Sequence, residues 1–489
     1  MRRVLATLLV LSPLLASCAL GPRVPTPDTH LPAAFEAPAA STAPDVDLDR
    51  WWSVYHDPQL ETLVEQALTS APDARSATAR LAEARAVRSS ALSAFDPQGA
   101  LQGSATLTDT TTLSGPGPIV IPAVPGIGFP GASFDLSPSG KTYSEGVNFN
   151  VSWEVDLFGR RAATRRKANA DIAAARFDYE ASRTSLAANV ADQLFQARGL
   201  AIQLDDARES ARIQRDLLNV AQVKADHGLG AQSDADQVAA QTAQTDAQAA
   251  DLESQLHAAR RTLLVLLGRG ADPLDGLPVP AEAGAPPQVP VTVPGALLAR
   301  RPDVQEAYAK LHSATGQLKL DELALFPKFT LQPGIGLTSS NQIGSPVVSD
   351  AWSIGLGAAL PILDRPRLQA EIRAQGARAD QAVIAYEKTV QTAYGEAENA
   401  LVQLTSDELR VRLLSAGEAQ GRSAYDAARK RYAMGLDDLS SVLTAERTWR
   451  SARTALTGAQ VQALRRSVQT FKALGGGWTP PTPASPRRS

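Results

Sequence analysis

The sequence consists of two related copies of one pattern, and this internal duplication restricts the possible folds more than any single motif does. The number of residues that separates matching positions of the two copies is constant in the first part of each copy and is smaller in the later part. The offset shortens because the first copy has an extra Gly/Pro-rich loop at about residues 112 to 140. Each copy therefore predicts a helix, a strand, a loop, a strand, a long helix, a Gly-Leu turn and a helix. The matches are Pro72-Asp73 with Pro302-Asp303, Pro97 with Pro327, Tyr179-Glu180 with Tyr386-Glu387, and Gly228-Leu229 with Gly435-Leu436.

Proline positions predict two long helices. The chain has 33 prolines, yet none lies between Pro138 and Pro273 or between Pro366 and Pro480. An internal proline breaks a helix, so each of these stretches can hold an extended one. Apolar residues recur there at helical spacing, and in the second stretch they step by three and four, which is a heptad pattern. These residues are Leu186, Val190, Leu194, Ala197, Ala201 and Leu204 in the first stretch, and Val383, Tyr386, Val390, Ala393, Ala397, Ala400 and Leu404 in the second.

The predicted helix lengths match one another. The first long helix runs from Arg161 to about Asp226, which is roughly 100 Å at about 1.5 Å per residue. The helices on either side, about Pro58 to Ala94 and about Ser233 to Gly268, sum to a similar length. One long helix beside two stacked shorter ones would make a uniform rod, and two such rods per chain could form part of the wall of a long tube.

Four segments alternate apolar and polar residues, which predicts strands with one apolar face. In a soluble sandwich that face would be the core, whereas in a membrane barrel it would meet lipid and the polar face would line a water-filled lumen. Four strands cannot close a barrel and would leave long unprotected edges, so we expect two or three chains to contribute. The segments are Leu101 to Leu107, Tyr143 to Trp153, Phe329 to Leu337, and Trp352 to Leu360.

Composition excludes some classes of protein. The formal net charge is −3, and no block of Lys and Arg occurs in the body of the chain, so nucleic acid is not an expected partner. Only 5% of the residues are aromatic, which favours helices packed closely through small side chains over a thick core of large ones. Cys18 is the sole cysteine, so neither an intramolecular disulfide nor a thiolate metal cluster is possible.

The first residues predict export. Arg2 and Arg3 form a charged region, Val4 to Leu15 an apolar region, and Leu15-Ala16-Ser17-Cys18 follows at the cleavage position. This segment resembles a bacterial lipobox, which implies cleavage before Cys18, diacylglycerol on its thiol and acylation of its new amine. Ala19 is associated in such proteins with the outer membrane. The alternative is a plain secretory signal with an incidental cysteine. After residue 18 no apolar run approaches the roughly 20 residues of a spanning helix, so strands must make any membrane crossing.

We therefore expect six regions along the chain. They are a signal peptide at 1–17, a lipidated N-terminal segment at 18–57, a first repeat at 58–270, a Pro-rich linker at 271–293, a second repeat at 294–477 and a disordered tail at 478–489.

Short motifs recur along nearly the whole chain in a specific order and spacing. They are Cys18 with the lipobox, Trp51-Trp52, Asp57-Pro58-Gln59-Leu60, Asp156-Leu157-Phe158-Gly159-Arg160, Arg261-Thr262-Leu263 through Leu267-Gly268, Arg300-Arg301-Pro302-Asp303-Val304, Leu325-Phe326-Pro327, Leu360-Pro361-Ile362, and Tyr432-Ala433-Met434-Gly435-Leu436. Together they resemble the TolC-like outer-membrane factors, and among them the lipoprotein subgroup of RND-type efflux proteins often labelled NodT-like.

The resemblance implies an α+β membrane channel. Such proteins are homotrimers with a β-barrel of four strands per chain in the outer membrane, continued by a long periplasmic α-helical barrel. A periplasmic adaptor docks at the helix tips and links them to an inner-membrane RND pump, so these proteins and outer-membrane lipid are the implied partners. No cofactor is implied beyond the lipid on Cys18. The sequence departs from the family at Asp364-Arg365-Pro366, where a Gly-rich junction is more usual.

The resemblance also assigns candidate site residues. It places the adaptor-docking turns at Gly228-Leu229 and Gly435-Leu436, and Asp437 matches an aspartate that lines the constriction in related channels. Three copies of Asp437 would form a ring that attracts cations. The alternative is that Asp437 merely caps the following helix, although a capping residue can also face the pore. Asp438 lies beside it. Lys430 and Arg431 could hold neighbouring tips shut through ion pairs.

Two motifs are structural on physical grounds. Phe158-Gly159-Arg160 resembles a strand-to-helix corner in which glycine permits the backbone turn. Arg301-Pro302-Asp303 resembles a helix start, with proline in the first turn and aspartate favouring the helix dipole.

Three alternative functions can be compared with the efflux channel. An enzyme or metal site is disfavoured because the histidines are scattered, with no metal-spaced pair and no nucleophile elbow. A periplasmic adaptor would carry one helical hairpin inside compact β domains, whereas here two hairpins each follow a strand pair. The third alternative is the exit duct of type I protein secretion, against which the lipobox and the short tail after Trp478 favour drug or metal efflux. The histidines are His30, His56, His227, His257 and His312.

Overall fold

The computed structural model describes residues 24–37, 48–111, 119–122, 132–134, 140–289, 293–342 and 345–479. Cys18, the predicted signal peptide, most of the extra loop and the last ten residues lie outside the described residues. The chain divides into two compact units. Of the described residues, the sheet unit comprises those within Val87–Ala168 and Thr315–Ala377, and the helical unit comprises those within Val24–Ala86 and Asn169–Ala314 and those from Arg378 onward.

Four antiparallel strands form the main sheet of the sheet unit, in the order β1-β4-β5-β6. They correspond to the four predicted strands; the first three extend beyond the predicted bounds at both ends, whereas the last begins earlier than predicted and ends at Ala359, one residue before the predicted end at Leu360. A short hairpin of β2 and β3, within the extra loop, was not predicted. The strands are β1 (Gln98–Thr110), β2 (Ile119–Ile121), β3 (Ala132–Phe134), β4 (Gly140–Val155), β5 (Lys328–Gln342) and β6 (Ser345–Ala359).

The register of the sheet aligns large apolar residues in one row. Leu101 pairs with Phe149, Phe149 with Ile335, and Ile335 with Trp352. Because side chains alternate between faces, all four project from the same face. Leu101 is 71% exposed and Trp352 is 79% exposed. This face is an exposed apolar surface rather than a core, which a soluble sandwich would not leave uncovered.

Helices make up most of the rest of the described chain, and the two long ones confirm the prediction from proline positions. The helices are α1 (Pro58–Ser70), α2 (Pro72–Ser93), α3 (Arg160–Asp226), α4 (Gln232–Leu266), α5 (Pro294–Arg300), α6 (Pro302–Leu323), α7 (Arg365–Ala433) and α8 (Leu439–Ala473), with 3₁₀ turns at Leu48–Tyr55 and Leu274–Gly276.

The prediction of one helix from Pro58 to Ala94 was wrong, because the helix breaks at Ala71. Ala71 has an extended backbone, with φ −60° and ψ 142°. The ring of Pro72 disfavours the helical conformation in the preceding residue, and α2 starts anew at that proline. The second copy repeats the break at Arg301, whose φ is −80° and ψ 119°, before Pro302. The internal duplication therefore extends to this local backbone detail.

The largest hydrophobic core of the helical unit centres on an aromatic group. Trp51 and Phe471 are both fully buried, and their rings stack with centroids 5.8 Å apart. Tyr55 lies edge-on to Trp51 at 6.0 Å, and its hydroxyl is 2.6 Å from the Ser467 hydroxyl. The sequence offered Trp51 only as a family motif, and the structure shows that it is a core residue.

A largely buried ion pair fixes the start of α1 within this unit. The Asp57 carboxylate accepts hydrogen bonds from the backbone N–H groups of Gln59 and Leu60, at 3.0 and 3.1 Å. It also pairs with the Arg198 guanidinium of α3, and the two side chains are only 14% and 11% exposed. Burial tends to raise the pKa of Asp57, but Arg198 and the two N–H groups outweigh it, so the pKa lies below its ordinary value.

Among the helices of the described residues, none combines the length and the apolar character that a membrane crossing requires.

Candidate functional site

The turn between α7 and α8, together with the last turn of α7, carries half of the predicted site residues. Helix α7 ends at Ala433, and Gly435 follows with φ 74°. The Leu436 N–H donates to the Arg431 carbonyl at 2.9 Å, and the Gly435 N–H donates to the Tyr432 carbonyl at 3.0 Å. This is a Schellman motif, which needs a residue that tolerates positive φ at its C′ position. The side chain of Leu436 is 67% exposed.

Asp438, rather than Asp437, caps α8. Its carboxylate accepts a hydrogen bond from the Ser441 N–H at 2.9 Å, and its backbone is extended with φ −89° and ψ 163°. Hydrogen bonds from the hydroxyl and the N–H of Ser441 lower the pKa of Asp438 below its ordinary value. The capping role considered for Asp437 in the sequence therefore belongs to its neighbour.

Asp437 instead forms an ion pair within its own turn. Its carboxylate lies 3.3 Å from the guanidinium Nε of Arg431, and its side chain is 24% exposed. Arg431 is 59% exposed, and Lys430 beside it is also exposed. The structure thus brings together Arg431 and Asp437, which were predicted separately, and leaves the charge of Asp437 only partly shielded from solvent.

The turn between α3 and α4 repeats the geometry of the first turn. Gly228 has φ 68°, and the Leu229 N–H donates to the Lys224 carbonyl at 2.8 Å. Leu229 is 79% exposed. The N-cap residue of α4 is Ala231, which makes no side-chain capping hydrogen bond. Both Gly-Leu turns therefore present an exposed leucine. Only the second turn carries aspartates, one of which caps the helix that follows.

Lys224 and Tyr432 connect the last turns of α3 and α7. The Lys224 ammonium donates to the Tyr432 hydroxyl at 2.9 Å and lies 4.3 Å from the centre of the ring. In the sequence, Tyr432 stands out only as part of a motif, and Lys224 belongs to no motif. Nothing local marks the pair, since the two residues are 208 positions apart.

The predicted corner at Phe158-Gly159-Arg160 joins β4 to α3. Gly159 has φ 82°, and the Phe158 ring lies 5.1 Å from that of Phe326. Asp156 organises this corner, because its carboxylate accepts from the backbone N–H groups of Gly159, Arg160 and Arg161 at 2.8, 2.8 and 2.9 Å. This role of Asp156 was not predicted, although the residue begins the predicted motif. Its position before a glycine and a helix start was the available signal.

The described residues contain no group of three or more His, Cys, Asp or Glu side chains placed to hold a metal ion. The five histidines therefore give no metal centre within that part of the chain.

Comparison with known proteins identifies the class. The outer membrane efflux protein family matches residues 63–269 and 293–476, so the chain belongs to this family. It is 30% identical over 484 residues to the pyoverdine export outer membrane protein OpmQ of Pseudomonas putida, covering 97% of this chain and 98% of that one. It is 25% identical over 490 residues to nodulation protein T of Rhizobium leguminosarum bv. viciae, covering 98% of this chain and 95% of that one.

Solved structures agree with this assignment. The outer-membrane channel OprN is 29% identical and superposes with a TM-score of 0.77, covering 94% of this chain and 99% of that chain. The predicted TolC-like fold and the resemblance to the NodT-like subgroup are confirmed. The protein is an outer-membrane channel of an efflux system, and membership of this channel family confirms the prediction that it is not an enzyme.

Proposed function

We propose that three copies of this chain form one exit duct, which a periplasmic adaptor and an inner-membrane RND-type pump supply. The observation that carries the proposal is the four-stranded sheet with its exposed apolar face. Among the described strands, β1 and β6 each have a neighbour on one side only. Free strand edges of this length invite pairing with another chain.

The strand order supports closure by copies of the same chain. Adjacent strands are antiparallel throughout the order β1-β4-β5-β6. Strand β6 of one copy would therefore run antiparallel to β1 of the next. Bacterial outer-membrane barrels have an even number of strands, from about eight upward. Three copies would satisfy this rule with four strands each.

The apolar face supports contact with lipid. On β6, Trp352, Ile354 and Leu356 are 79%, 69% and 75% exposed. Ser353 and Gly355 alternate with them and project to the other face. This alternation of apolar and polar residues is typical of strands that separate lipid from a water-filled lumen.

We also propose that Cys18 is lipidated and anchors the mature N-terminus in the outer membrane. Residues 24–37, which follow it, lie along α7 in the helical unit. The Asp28 N–H donates to the Glu387 carboxylate at 2.7 Å, and the Phe35 ring stacks on Tyr394 with centroids 5.8 Å apart. A single acyl chain binds membranes only marginally, so two or more are needed for stable anchoring.

The two Gly-Leu turns are the proposed periplasmic end of the duct. Exposed Leu229 and Leu436 offer apolar contacts to an adaptor. Three copies of Asp437 would form a carboxylate ring that attracts cations. The ion pair of Asp437 with Arg431 would hold this carboxylate in place. By analogy with the pyoverdine exporter, we propose that the duct carries small compounds.

Planar-bilayer recordings with a mass measurement of the purified oligomer test the proposal. We expect a species with the mass of three chains and single-channel currents that favour cations. A native monomer, or a trimer that carries no current, would contradict it. Incorporation of labelled palmitate into the wild type but not into Cys18→Ala tests the anchor separately.

A further inference from the structure

Glu446 is a carboxylate buried in the helical unit, on α8. Its side chain is 1% exposed. The Arg450 Nε atom lies 3.6 Å from its Oε1 atom, and the Gln214 Nε2 atom of α3 lies 3.5 Å from its Oε2 atom. Both distances are at or beyond the limit of an ordinary hydrogen bond. Neither Glu446 Oε1 nor Arg450 Nε has a hydrogen-bond partner among the described residues.

The polar contacts around Glu446 form a small cluster that joins three helices. The Gln214 side-chain oxygen accepts from the Thr245 hydroxyl of α4 at 3.0 Å. Arg450 in turn donates to the same hydroxyl at 3.4 Å. Gln214 is 1% exposed and Thr245 is 3% exposed. We call Glu446, Arg450, Gln214 and Thr245 the joint. The joint is buried on its α3 and α4 sides and reaches solvent through Arg450.

The joint does not fully compensate a negative charge. A buried carboxylate costs several kcal/mol unless close hydrogen bonds and a well-placed cation offset the loss of water, and here both are distant. Burial raises the pKa of Glu446, while the charge of Arg450 and the hydrogen bond from Gln214 oppose the rise without cancelling it. Among the described residues, Tyr425 of α7 is a further titratable neighbour. Its pKa is raised by burial and by the charge of Glu446, and Arg429 and Asp426 of α7 also act on it.

We propose that Glu446 is a positioning residue for the turn between α7 and α8, and that the uptake of one proton by its carboxyl group tightens the packing of α8 against α3 and α4. This inference rests on the proposed function of that turn as the entrance of the duct. Glu446 lies at the start of the third turn of α8, roughly 12 Å along the axis from Asp438. A shift of α8 at the joint would therefore move the Asp438 cap and the Asp437–Arg431 pair with it.

The direction of the pH effect follows from the raised pKa. The carboxyl group of Glu446 binds a proton more tightly when α8 is packed against α3 and α4 than when the group is exposed to water. The stabilisation is therefore fully present below the ordinary pKa of a glutamic acid, and it is lost as pH rises through the raised pKa. Acid should hold the entrance in its narrower form, and higher pH should loosen it.

Hydrogen exchange on the intact trimer tests the joint without reference to conduction. For peptides that span Val442 to Arg450, we expect protection, after correction for intrinsic exchange, to fall between pH 5 and pH 8. The fall cannot exceed about tenfold per pH unit for one proton. Glu446→Gln keeps the neutral form and should stay protected throughout. Glu209→Gln removes an exposed carboxylate of α3 and should behave as the wild type does. Identical pH profiles for the wild type and Glu446→Gln would overturn the proposal.

Single-channel conductance tests the link to the entrance. We expect wild-type conductance to increase from pH 5 to pH 8, and Glu446→Gln to remain at the acid value. A merely structural role would alter stability without altering this pH profile. A wild-type conductance that does not depend on pH would overturn the positioning role. Complete absence of current would refute the proposed channel architecture instead, and the exchange experiment would still report on the joint.

Discussion

The Lys224 ammonium donates to the Tyr432 hydroxyl at 2.9 Å while also lying 4.3 Å from the ring centroid, and it thereby ties the end of α3 to the end of α7. Each of these helices leads directly into one of the Gly-Leu turns. An isolated contact of this kind is worth about 0.5–1 kcal/mol where it is exposed. That is enough to change how often the two turns separate.

Lys224→Met should remove both parts of this contact and increase single-channel conductance or the frequency of opening. Tyr432→Phe should have a smaller effect, because it keeps the interaction with the ring and loses only the hydrogen bond. Lys388→Met, on an exposed lysine of α7 far from the turns, is the matched control. Equal conductance of the wild type and Lys224→Met would show that the contact does not restrain the turns.

The neighbouring aspartates of the second turn should separate into two roles. Asp438→Asn should leave α8 folded as before, because asparagine also caps helices. Asp437→Asn should break the pair with Arg431 and reduce cation preference, measured as a shift of reversal potential in a salt gradient. If Asp437→Asn kept the wild-type reversal potential, the carboxylate ring would have to be placed elsewhere.

Asp156→Ala should destabilise the corner between β4 and α3. Three backbone N–H groups would lose their acceptor, and removal of a capping side chain costs about 0.5–2 kcal/mol. Thermal unfolding of the purified protein measures the effect. Asp156→Asn should lower the unfolding temperature less. Asp96→Asn alters a nearby exposed ion pair with Arg161, and it should change the unfolding temperature little. An unfolding temperature of Asp156→Ala equal to that of the wild type would contradict this account of the corner.

Substitutions on the two faces of β6 should behave differently. Ile354→Arg places a charge on the apolar face, where it costs about 2–4 kcal/mol near the middle of a bilayer, and it should reduce the yield of membrane-assembled trimer. Ser353→Arg should assemble and change ion selectivity instead. Semi-native gel electrophoresis of membrane extracts distinguishes them, and similar yields for both would argue against a lipid-facing apolar surface.

The Asp57–Arg198 pair should make the helical unit sensitive to acid. Since the pKa of Asp57 is lowered in the folded protein, its contribution to stability is complete above the ordinary pKa and is lost as pH falls through the lowered value. Thermal unfolding should therefore show a loss of stability as pH falls below about 4, and this loss should be smaller in Asp57→Asn. An unchanged acid profile in Asp57→Asn would assign the loss to other carboxylates.

Periodicity and proline placement predicted the strands and the long helices, because these depend on patterns within one segment. The break at Ala71 was missed, although Pro72 marked it, because the apolar pattern continues across it. Contacts between distant segments were beyond prediction. Nothing near Lys224 indicates Tyr432, and the buried surroundings of Glu446 arise only when α3, α4 and α8 pack together. At the second turn the sequence placed two aspartates, but backbone geometry decided that Asp438 is the cap.

The two Gly-Leu turns have the same backbone but different chemistry, since Gly230-Ala231 occupies the positions that Asp437-Asp438 holds in the other copy. A ring of three chains would therefore have nearly sixfold symmetry in shape and only threefold symmetry in charge. A partner that recognises only the shape of the turn would find six equivalent binding sites on such a ring, whereas a partner that recognises a carboxylate would find three. Gene duplication would thus have given a single chain both sixfold and threefold sets of binding sites.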